Sequence, residues 1–234
     1  MTSAPGRPYD GPRGAAPFRT LMAHASGETT LARFVRADLY RHDGLSGFRG
    51  FCKGLLRPGF RYSLLMRLTA VRRRPSPLSF LLRAMKRRYR FKYGYEINPE
   101  ARIGEGFRLT DHCGPVVIGP VTIGKLCTIA HNVTVGRTYD ERGEVGRPSL
   151  GDRVFVGAGA VLVGPIAIGS DVLIAPNAFV HFDVPDHSLV IGNPGKIVPR
   201  PDPTRFYIDF ALPEPGAPSS TRSGASGPGR RGPS

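Results

Sequence analysis

The sequence predicts a mainly β protein, a parallel β-helix preceded by a small basic α-helical region. Three observations predict it: a six-residue aliphatic repeat, two breaks in that repeat, and a concentration of Lys and Arg before it. The repeat holds thirteen aliphatic residues in three runs spaced by six: Ile97, Ile103 and Leu109; Val117, Ile123, Ile129 and Val135; and Leu150, Val156, Leu162, Ile168, Ile174 and Val180.

A repeat of six residues is too short for a helical solenoid and is typical of a β-helix. Each hexad forms one side of a triangular prism, with its aliphatic residue inside and small or polar residues at the corner. Three hexads make one coil, so the thirteen hexads predict a little over four coils. The strands of a sandwich would instead alternate with a period of two and show turns about every eight to twelve residues.

The two breaks in the repeat mark a candidate site. After Leu109 the next aliphatic position comes eight residues later instead of six, and the extra length carries Asp111 and His112. After Val135 the next position comes fifteen residues later, and residues 137–147 are polar and charged. A solenoid accommodates insertions as loops extruded from a corner, and such loops commonly carry function.

The basic residues precede the repeat. Residues 31–95 contain seventeen Lys and Arg against two Asp, which accounts for the whole net charge of +15. Gly and Pro breaks divide this segment into predicted helices at 31–41, 47–56, 60–73 and 78–93.

The last two predicted helices are amphipathic, with one apolar face each. These faces comprise Phe60, Leu64, Leu65 and Leu68, and Leu78, Leu81, Leu82 and Met85, surrounded by Arg61, Arg67, Arg83, Lys86 and Arg87. Basic amphipathic helices suggest attraction to an anionic membrane surface. Alternatively, the apolar faces pack on each other and on the first coil. No recognisable nucleic-acid-binding fold accompanies the basic residues, so nucleic acid is not an expected partner.

Composition sets the predicted domain boundaries. Residues 1–27 form a disordered tail, 28–95 the basic helical region, 96–200 the β-helix, and 201–234 a mostly disordered extension. The two ends are rich in Pro, Gly, Ser and Ala and have too few large apolar groups to offset the entropy of ordering.

The chain lacks the sequence features of secreted or membrane-spanning proteins. Its three cysteines have no metal-ligand spacing and fit a reduced cytosolic protein. No run reaches the roughly 18 to 20 apolar residues of a membrane span, and the first residues lack the apolar core of a signal peptide. We therefore expect a cytoplasmic protein, at most peripheral at the cytoplasmic membrane face.

His112 is the candidate general base. A neutral imidazole whose second nitrogen is held by a carboxylate is suited to removing a proton from a hydroxyl near pH 7. Glu96 and Asp111 are near enough in sequence to be that carboxylate, and Glu96 precedes His112 by sixteen residues, nearly one coil. His131 is either a further site residue or a polar corner residue.

Seven motifs between residues 96 and 198 carry a family resemblance: 96–106, 111–112, 114–118, 132–136, 147–152, 156–160 and 191–198. In this order they resemble the hexapeptide-repeat acyltransferases. Within them the chain is similar to the serine acetyltransferase-like branch, which includes O-acetyltransferases of exopolysaccharide and capsule biosynthesis.

The resemblance implies a left-handed β-helix that forms a homotrimer, with active sites in clefts between subunits. It implies direct transfer of an acetyl group from acetyl-CoA to a hydroxyl, without a covalent enzyme intermediate and without a metal. His112 matches the family's general base. Glu96 falls one residue from the place of the family's orienting Asp.

The resemblance also implies a binding site for CoA. The residues that resemble the family's pantetheine groove are Gly157, Ala158, Gly159, Ala160 and Asn177, although small residues are also needed for the coil corners. Lys196 matches a basic position that meets the CoA phosphates. Backbone N–H groups near 157–160 are candidates for stabilising the oxyanion.

The acceptor is less clearly defined. Serine acetyltransferases carry an Arg-His pair directly before a Pro that this chain has at 148, where the chain instead has Gly146-Arg147. This departure and the basic helices favour a sugar hydroxyl of a surface-polysaccharide precursor, with His131 and Arg147 as candidate acceptor-binding residues. The alternative is serine O-acetylation in cysteine biosynthesis.

A further alternative is a non-catalytic or zinc-binding β-helix. His112 and His131 are nineteen residues apart, close to one coil, but no third histidine falls on the repeat nearby.

Overall fold

The computed structural model describes residues 30–71, 76–112, 114–139 and 145–212. The predicted tail at 1–27, the end of the chain from 213, Cys113 and residues 140–144 of the second loop lie outside the described residues.

Four α-helices precede the β-helix and confirm the four predicted ones. They are α1 (Thr30–Tyr40), α2 (Gly47–Gly54), α3 (Pro58–Val71) and α4 (Pro77–Tyr93). Ser76 caps α4 by accepting a hydrogen bond from the Ser79 N–H, and Gly94 ends it with a φ of 74°, the left-handed conformation that favours glycine. Among the helices that the structure describes, none is long and apolar enough to span a membrane.

The strands, numbered in chain order, form three sheets that are the sides of a prism. The first sheet contains β1 (Tyr95–Ile97), β4 (Val116–Ile118), β7 (Val133–Gly136), β12 (Val161–Val163) and β15 (Phe179–Val180). The second contains β2 (Arg102–Ile103), β5 (Thr122–Ile123), β10 (Ser149–Leu150) and β13 (Ala167–Ile168). The third contains β3 (Arg108–Leu109), β6 (Thr128–Ile129), β11 (Val154–Val156), β14 (Val172–Ile174), β16 (Ser188–Ile191) and β17 (Lys196–Pro199).

Pairing within the three sheets is parallel, except that β17 returns antiparallel to β16. The chain therefore visits each side once per coil, as the six-residue repeat predicts.

Inside the prism, the aliphatic residues of each side stack in register. On the first side Ile97, Ile118, Val135, Leu162 and Val180 are aligned partners and are at most 4% exposed. Twelve of the thirteen predicted positions are buried to this extent.

The prediction for Val117 is wrong. Its side chain points outward and is 40% exposed, while Val116 and Ile118 are each 1% exposed and face the core. Alternate residues of a strand face opposite sides. Ile118, which pairs with Ile97 and continues the aliphatic column, therefore comes nine positions after Leu109 instead of the predicted eight.

The second break is an extruded loop, as predicted. Its described ends form a two-stranded antiparallel pair, β8 (Thr138–Tyr139) and β9 (Val145–Gly146). Leu150 then resumes the aliphatic column of the second side by pairing with Ile123 and Ile168.

The helical region is fixed to the first coil by a buried ion pair. Arg67, one of the basic residues beside the predicted apolar face of the third helix, is 2% exposed. Its Nε lies 3.0 Å from Asp38, which is 1% exposed. Arg67 also donates to the Ile103 carbonyl at 2.6 Å, and Asp38 accepts from the Phe107 N–H at 2.9 Å. Both charges are thus compensated by hydrogen bonds between helices and β-helix.

The apolar faces of α3 and α4 differ in their burial. Phe60 and Leu65 of α3 are at most 5% exposed. These two residues therefore pack inside the protein, as the alternative to membrane association predicted. On α4 only Leu82 is buried among the predicted apolar residues; the exposed fractions are 43% for Leu78, 56% for Leu81 and 38% for Met85.

Residues 201–212, the described part of the predicted extension, return to α1. Ile208 is 5% exposed, Arg41 donates a hydrogen bond to the Asp209 carbonyl, and the Phe210 ring packs edge-on against Tyr40 at 6.2 Å. This segment is therefore part of the packed fold.

Candidate active site

Most of the predicted site residues share one edge of the prism, where the chain leaves the third sheet. His112 follows β3, His131 follows β6, the segment 157–160 follows β11, and Asn177 follows β14. Successive coils therefore stack the candidate base and the candidate pantetheine groove along one line.

His112 and His131 are in contact across neighbouring coils. Their ring centroids lie 5.4 Å apart, with the planes tilted by 41°, and His112 is exposed. Gly114 permits this approach, because a Cβ there would lie 2.7 Å from Asn132 Oδ1 and 3.0 Å from His131 Cβ. The loop that carries His112 therefore lies directly on the corner that carries His131.

Buried polar atoms without a partner concentrate around this loop. Among the described residues, eight buried side-chain N or O atoms lack a hydrogen bond, and five of them belong to Thr110, Asp111, His131 and His42. Buried polar groups are almost always satisfied in folded proteins, and leaving one unpaired costs about 1–3 kcal/mol. The cluster therefore has hydrogen-bonding capacity available for a ligand or for a neighbouring subunit.

Asp111 is held by the helical region. Its Oδ2 accepts a hydrogen bond from Arg57 at 2.9 Å and lies 3.8 Å from Nδ1 of the buried His42. Burial acts to raise the pKa of Asp111, but the nearby His42 imidazole and the hydrogen-bonded Arg57 guanidinium outweigh it and hold this pKa below its usual value. Asp111 is therefore an ionised anchor of the loop, and its described contacts do not include His112.

Glu96 also has a partner other than His112. Its Oε1 forms an ion pair with Arg90 at 2.8 Å, and its side chain is 49% exposed. The backbone of Glu96 pairs with that of Val117 in the first sheet. The assignments of Glu96 and Asp111 as orienting carboxylates remain predictions.

Three of the four backbone N–H groups at the corner 157–160 donate hydrogen bonds within the β-helix. The N–H of Gly157 donates to Ile174, that of Gly159 to His131, and that of Ala160 to Gly157. In the part of the chain that the structure describes, the Ala158 N–H is the one amide of these four without a hydrogen-bond partner. It is therefore the corner amide available to a bound substrate.

Asn177 lies one coil further along the same edge. Its N–H donates to the Ala158 carbonyl at 2.8 Å, and a Cβ on Gly159 would lie 2.2 Å from its Oδ1. Asn177 has a φ of 58° and Gly159 a φ of 73°. Asn and Gly tolerate this left-handed conformation best. The backbone geometry of the turn therefore favours these two residue types, independently of any role in binding CoA.

The remaining predicted residues are solvent-accessible. Lys196 is exposed at the start of β17, and the adjacent Gly195 donates to the Phe179 carbonyl at 2.9 Å, which places this end of β17 beside the coil of Asn177. Arg147 is exposed directly after β9.

Within the described residues, His112 and His131 do not belong to a group of three or more His, Cys, Asp or Glu side chains close enough to share a metal ion. The group of His and Asp side chains close enough to share an ion is instead Asp171, His187 and Asp202. There His187 Nδ1 lies 2.9 Å from Asp171, an ordinary hydrogen-bonding distance.

Sequence reasoning did not identify Arg57, His42 or Gly114. The first two lie 54 and 69 positions before Asp111, and their contact with it depends on how the helices dock. For Gly114 a signal was present, because a glycine two residues after a candidate base suggests close backbone approach.

Comparison with known proteins defines the class. A serine acetyltransferase of Helicobacter pylori is 43% identical over 148 residues, which span 62% of this chain and 84% of the relative. A serine acetyltransferase of Staphylococcus aureus is 45% identical over 137 residues, 57% of this chain and 63% of the relative. No family model matches the chain.

Solved structures of serine acetyltransferases are similar to this chain as well. The serine acetyltransferase of Neisseria gonorrhoeae superposes with a TM-score of 0.60 at 29% identity, covering 80% of this chain and 70% of that one. The soybean serine acetyltransferase apoenzyme gives a TM-score of 0.59 at 32% identity, covering 72% and 69%.

The fold is the left-handed β-helix of the hexapeptide-repeat acyltransferases, as predicted, and the chain is an acetyl-transfer enzyme. More closely, it belongs to the serine acetyltransferase family.

Proposed function

We propose that this protein is a serine O-acetyltransferase, which transfers the acetyl group of acetyl-CoA directly to the hydroxyl of L-serine. The relatives favour this acceptor over the sugar hydroxyl that the sequence motifs suggested. The observation that carries the proposal is the edge on which the exposed His112 contacts His131 and continues into the corner at 157–160.

His112 is the general base in this proposal. Its imidazole removes the proton from the acceptor hydroxyl as the oxygen attacks the thioester carbonyl. The tetrahedral intermediate then collapses, the C–S bond breaks, and His112 returns the proton to the CoA sulfur. A positioned general base contributes roughly 10²–10⁴ in rate.

The corner at 157–160 supplies the binding site for the acyl donor. Its glycines and alanines leave room for the narrow pantetheine arm of CoA beside Asn177. Lys196, at the start of β17 and beside the coil of Asn177, binds the CoA phosphates. Since three of the four amides are committed within the β-helix, the Ala158 N–H is the donor that contacts the bound thioester. A backbone donor aimed at a developing oxyanion is worth about 10²–10³ in rate.

His131 contributes to the acceptor site. Its Nδ1 is buried and lacks a partner among the described residues, and the ring faces His112. A hydroxyl or carboxylate of the acceptor would satisfy this nitrogen. We further propose that three copies of the chain assemble, so that Arg147, which follows the loop between the first and second sides of the prism, completes a neighbour's cleft.

A sugar hydroxyl is the second candidate acceptor. The observation that favours it is Gly146-Arg147 in place of the Arg-His pair. In addition, Asp111, the carboxylate next to His112, is already paired with Arg57. It is therefore not free to bind the amino group of an amino acid.

The test is release of free CoA thiol by the purified full chain from acetyl-CoA, with L-serine, nucleotide sugars and lipid-linked saccharides as separate acceptors. The proposal expects turnover with L-serine at least about tenfold above every saccharide in kcat/KM, a difference of about 1.4 kcal/mol. A reversed preference would replace serine by the sugar. Absence of turnover with every acceptor would overturn acetyl transfer to these hydroxyls altogether.

A further inference from the structure

The outer face of α4 has an unusual composition for the surface of a folded domain. Opposite the face that packs on α3 and β1, the ring of Phe80 is 64% exposed, that of Phe91 is 74% exposed, and Leu81 is 56% exposed. Large apolar side chains that cluster on an exposed surface commonly mark an interaction site.

The same helix is strongly basic. Its seventeen residues contain six Lys and Arg and no Asp or Glu. Arg83, Arg87, Arg88 and Lys92 are exposed beside the apolar residues. The nearest acidic residue in sequence, Glu96, is already paired with Arg90.

The inner face of α4 packs against the rest of the protein, and the outer face remains exposed to solvent. Leu82 and Tyr93 are buried, Tyr93 stacks between Tyr89 and Tyr95 at centroid distances of 5.4 and 5.8 Å, and Arg61 of α3 donates to the Tyr93 hydroxyl. Within the described ranges, the helix is thus anchored by its inner side, and its outer side presents aromatic and cationic groups together.

We propose that the outer face of α4 docks the protein on an anionic lipid surface, with Phe80, Leu81 and Phe91 at the level of the acyl chains and the basic residues on the lipid phosphates. A helix with an apolar strip and a Lys/Arg-rich border lies in the plane of such an interface. Each Lys or Arg near an anionic leaflet adds about fivefold to the partition coefficient.

The short side chain of Ala84 leaves a shallow depression lined by Arg87, Arg88, Phe91 and Lys92. The Arg87 guanidinium lies 5.7 Å from the centre of the Phe91 ring. Three cations around one depression suit a lipid phosphate, while the ring beside them suits the adjoining acyl region.

Charge complementarity selects lipid over the other occupants. Two copies of this face would bring eight exposed cationic side chains together, Arg83, Arg87, Arg88 and Lys92 of each copy, without an acidic residue on either helix. Like-charge repulsion disfavours such a contact. Phosphates of nucleic acid would pair with the arginines but would leave Phe80 and Leu81 in water.

The first experiment uses tryptophan fluorescence, because the chain contains no Trp. Phe91→Trp places one reporter on the proposed surface. Phe206→Trp is the matched control, since Phe206 is 85% exposed and also lies beside an arginine, Arg205, but on the segment after the β-helix. Vesicles of phosphatidylcholine with phosphatidylglycerol are expected to shift the emission of Phe91→Trp to the blue and to leave that of Phe206→Trp unchanged. Equal responses from the two variants would overturn the proposal.

The second experiment measures co-sedimentation of the full chain with vesicles. The natural protein is expected to bind vesicles that contain phosphatidylglycerol and not to bind vesicles of phosphatidylcholine alone. Binding should be lost in 1 M salt, where the Debye length is about 3 Å. Phe80→Ser/Phe91→Ser and Arg87→Glu/Arg88→Glu are each expected to lower the partition coefficient about tenfold or more. Arg205→Glu/Phe206→Ser should match the natural protein.

Three results would overturn the proposal: the natural protein fails to bind the vesicles, the α4 variants change the oligomeric mass in solution, or the chain prefers double-stranded DNA to the vesicles. The second of these would make the face an interface between copies. All variants are checked for acetyl-CoA turnover, which this proposal leaves unchanged, so failure of lipid docking and failure of acetyl transfer are read separately.

Discussion

The Arg57 guanidinium donates a 2.9 Å hydrogen bond to Asp111, and through it the helical region holds the residue directly before the candidate base. This contact joins residues 54 positions apart. The loop of His112 is therefore positioned from outside the β-helix.

The first prediction concerns this anchor and pH. The folded-state pKa of Asp111 lies below its ordinary 3.8, so its stabilising contribution is complete above that value and is lost as the pH falls through the lower folded-state pKa. Asp111→Asn is expected to reduce the free energy of unfolding by about 1 kcal/mol at pH 7, and by progressively less below 3.8.

Urea unfolding measured over a pH series checks this. Asp43→Asn is the control, because Asp43 pairs with the same Arg57 but is 57% exposed; its effect should stay within about 0.5 kcal/mol. A loss in Asp111→Asn that persists at the acidic end of the series would contradict the assignment.

The second prediction concerns the buried ion pair. Asp38→Ala leaves Arg67 uncompensated at 2% exposure, and removing one partner of a buried pair costs about 3–5 kcal/mol. The exposed pair of Arg90 and Glu96 supplies the comparison, since Glu96→Ala should cost less than about 1 kcal/mol. Chemical denaturation of the two variants gives both values, and similar losses would show that Asp38 and Arg67 do not couple the helices to the first coil.

The third prediction concerns Gly114. A Cβ there would lie 2.7 Å from Asn132 Oδ1, so Gly114→Ala must displace the His112 loop or the His131 corner. We expect a loss of about 1–3 kcal/mol in stability together with reduced turnover. Gly136→Ala is the matched control, because nothing lies within 4 Å of its added Cβ. If the two alanine variants have equal activity, the close approach at Gly114 is not needed by the site.

The β-helix was predictable because its repeat is local. An inward aliphatic residue every six positions fixes both the sides of the prism and the stacking of coils, without knowledge of distant contacts. Val117 was the exception, since neighbouring valines in a strand look alike in sequence and only the register shows which one faces inward.

The candidate site was predictable only in part. The break in the repeat indicated His112, and the small residues indicated the corner at 157–160. The burial of Arg67 and the pairing of Arg57 with Asp111 depend on partners 29 and 54 positions away. A local pattern of basic residues is the same whether such a side chain is solvated or buried, so these roles needed the structure.

The fourth prediction concerns the cysteines. Burial raises the pKa of the Cys127 thiol to about 12, so at pH 8 it remains protonated and unreactive in the folded protein. Cys52 is exposed and should alkylate. Mass-spectrometric mapping after iodoacetamide treatment, with and without denaturant, checks this. Labelling of Cys127 in the folded protein would show that its coil opens.

The central claim is that His112 is the base of an acetyl transfer, and His112→Ala tests it most directly. His181, an exposed histidine after β15 that packs beside Phe179 at 5.2 Å, provides the matched control. With acetyl-CoA and L-serine, His112→Ala is expected to lower kcat by roughly 10²–10⁴, with an unchanged circular dichroism spectrum, while His181→Ala keeps the natural rate. Natural turnover by a folded His112→Ala variant would contradict the account.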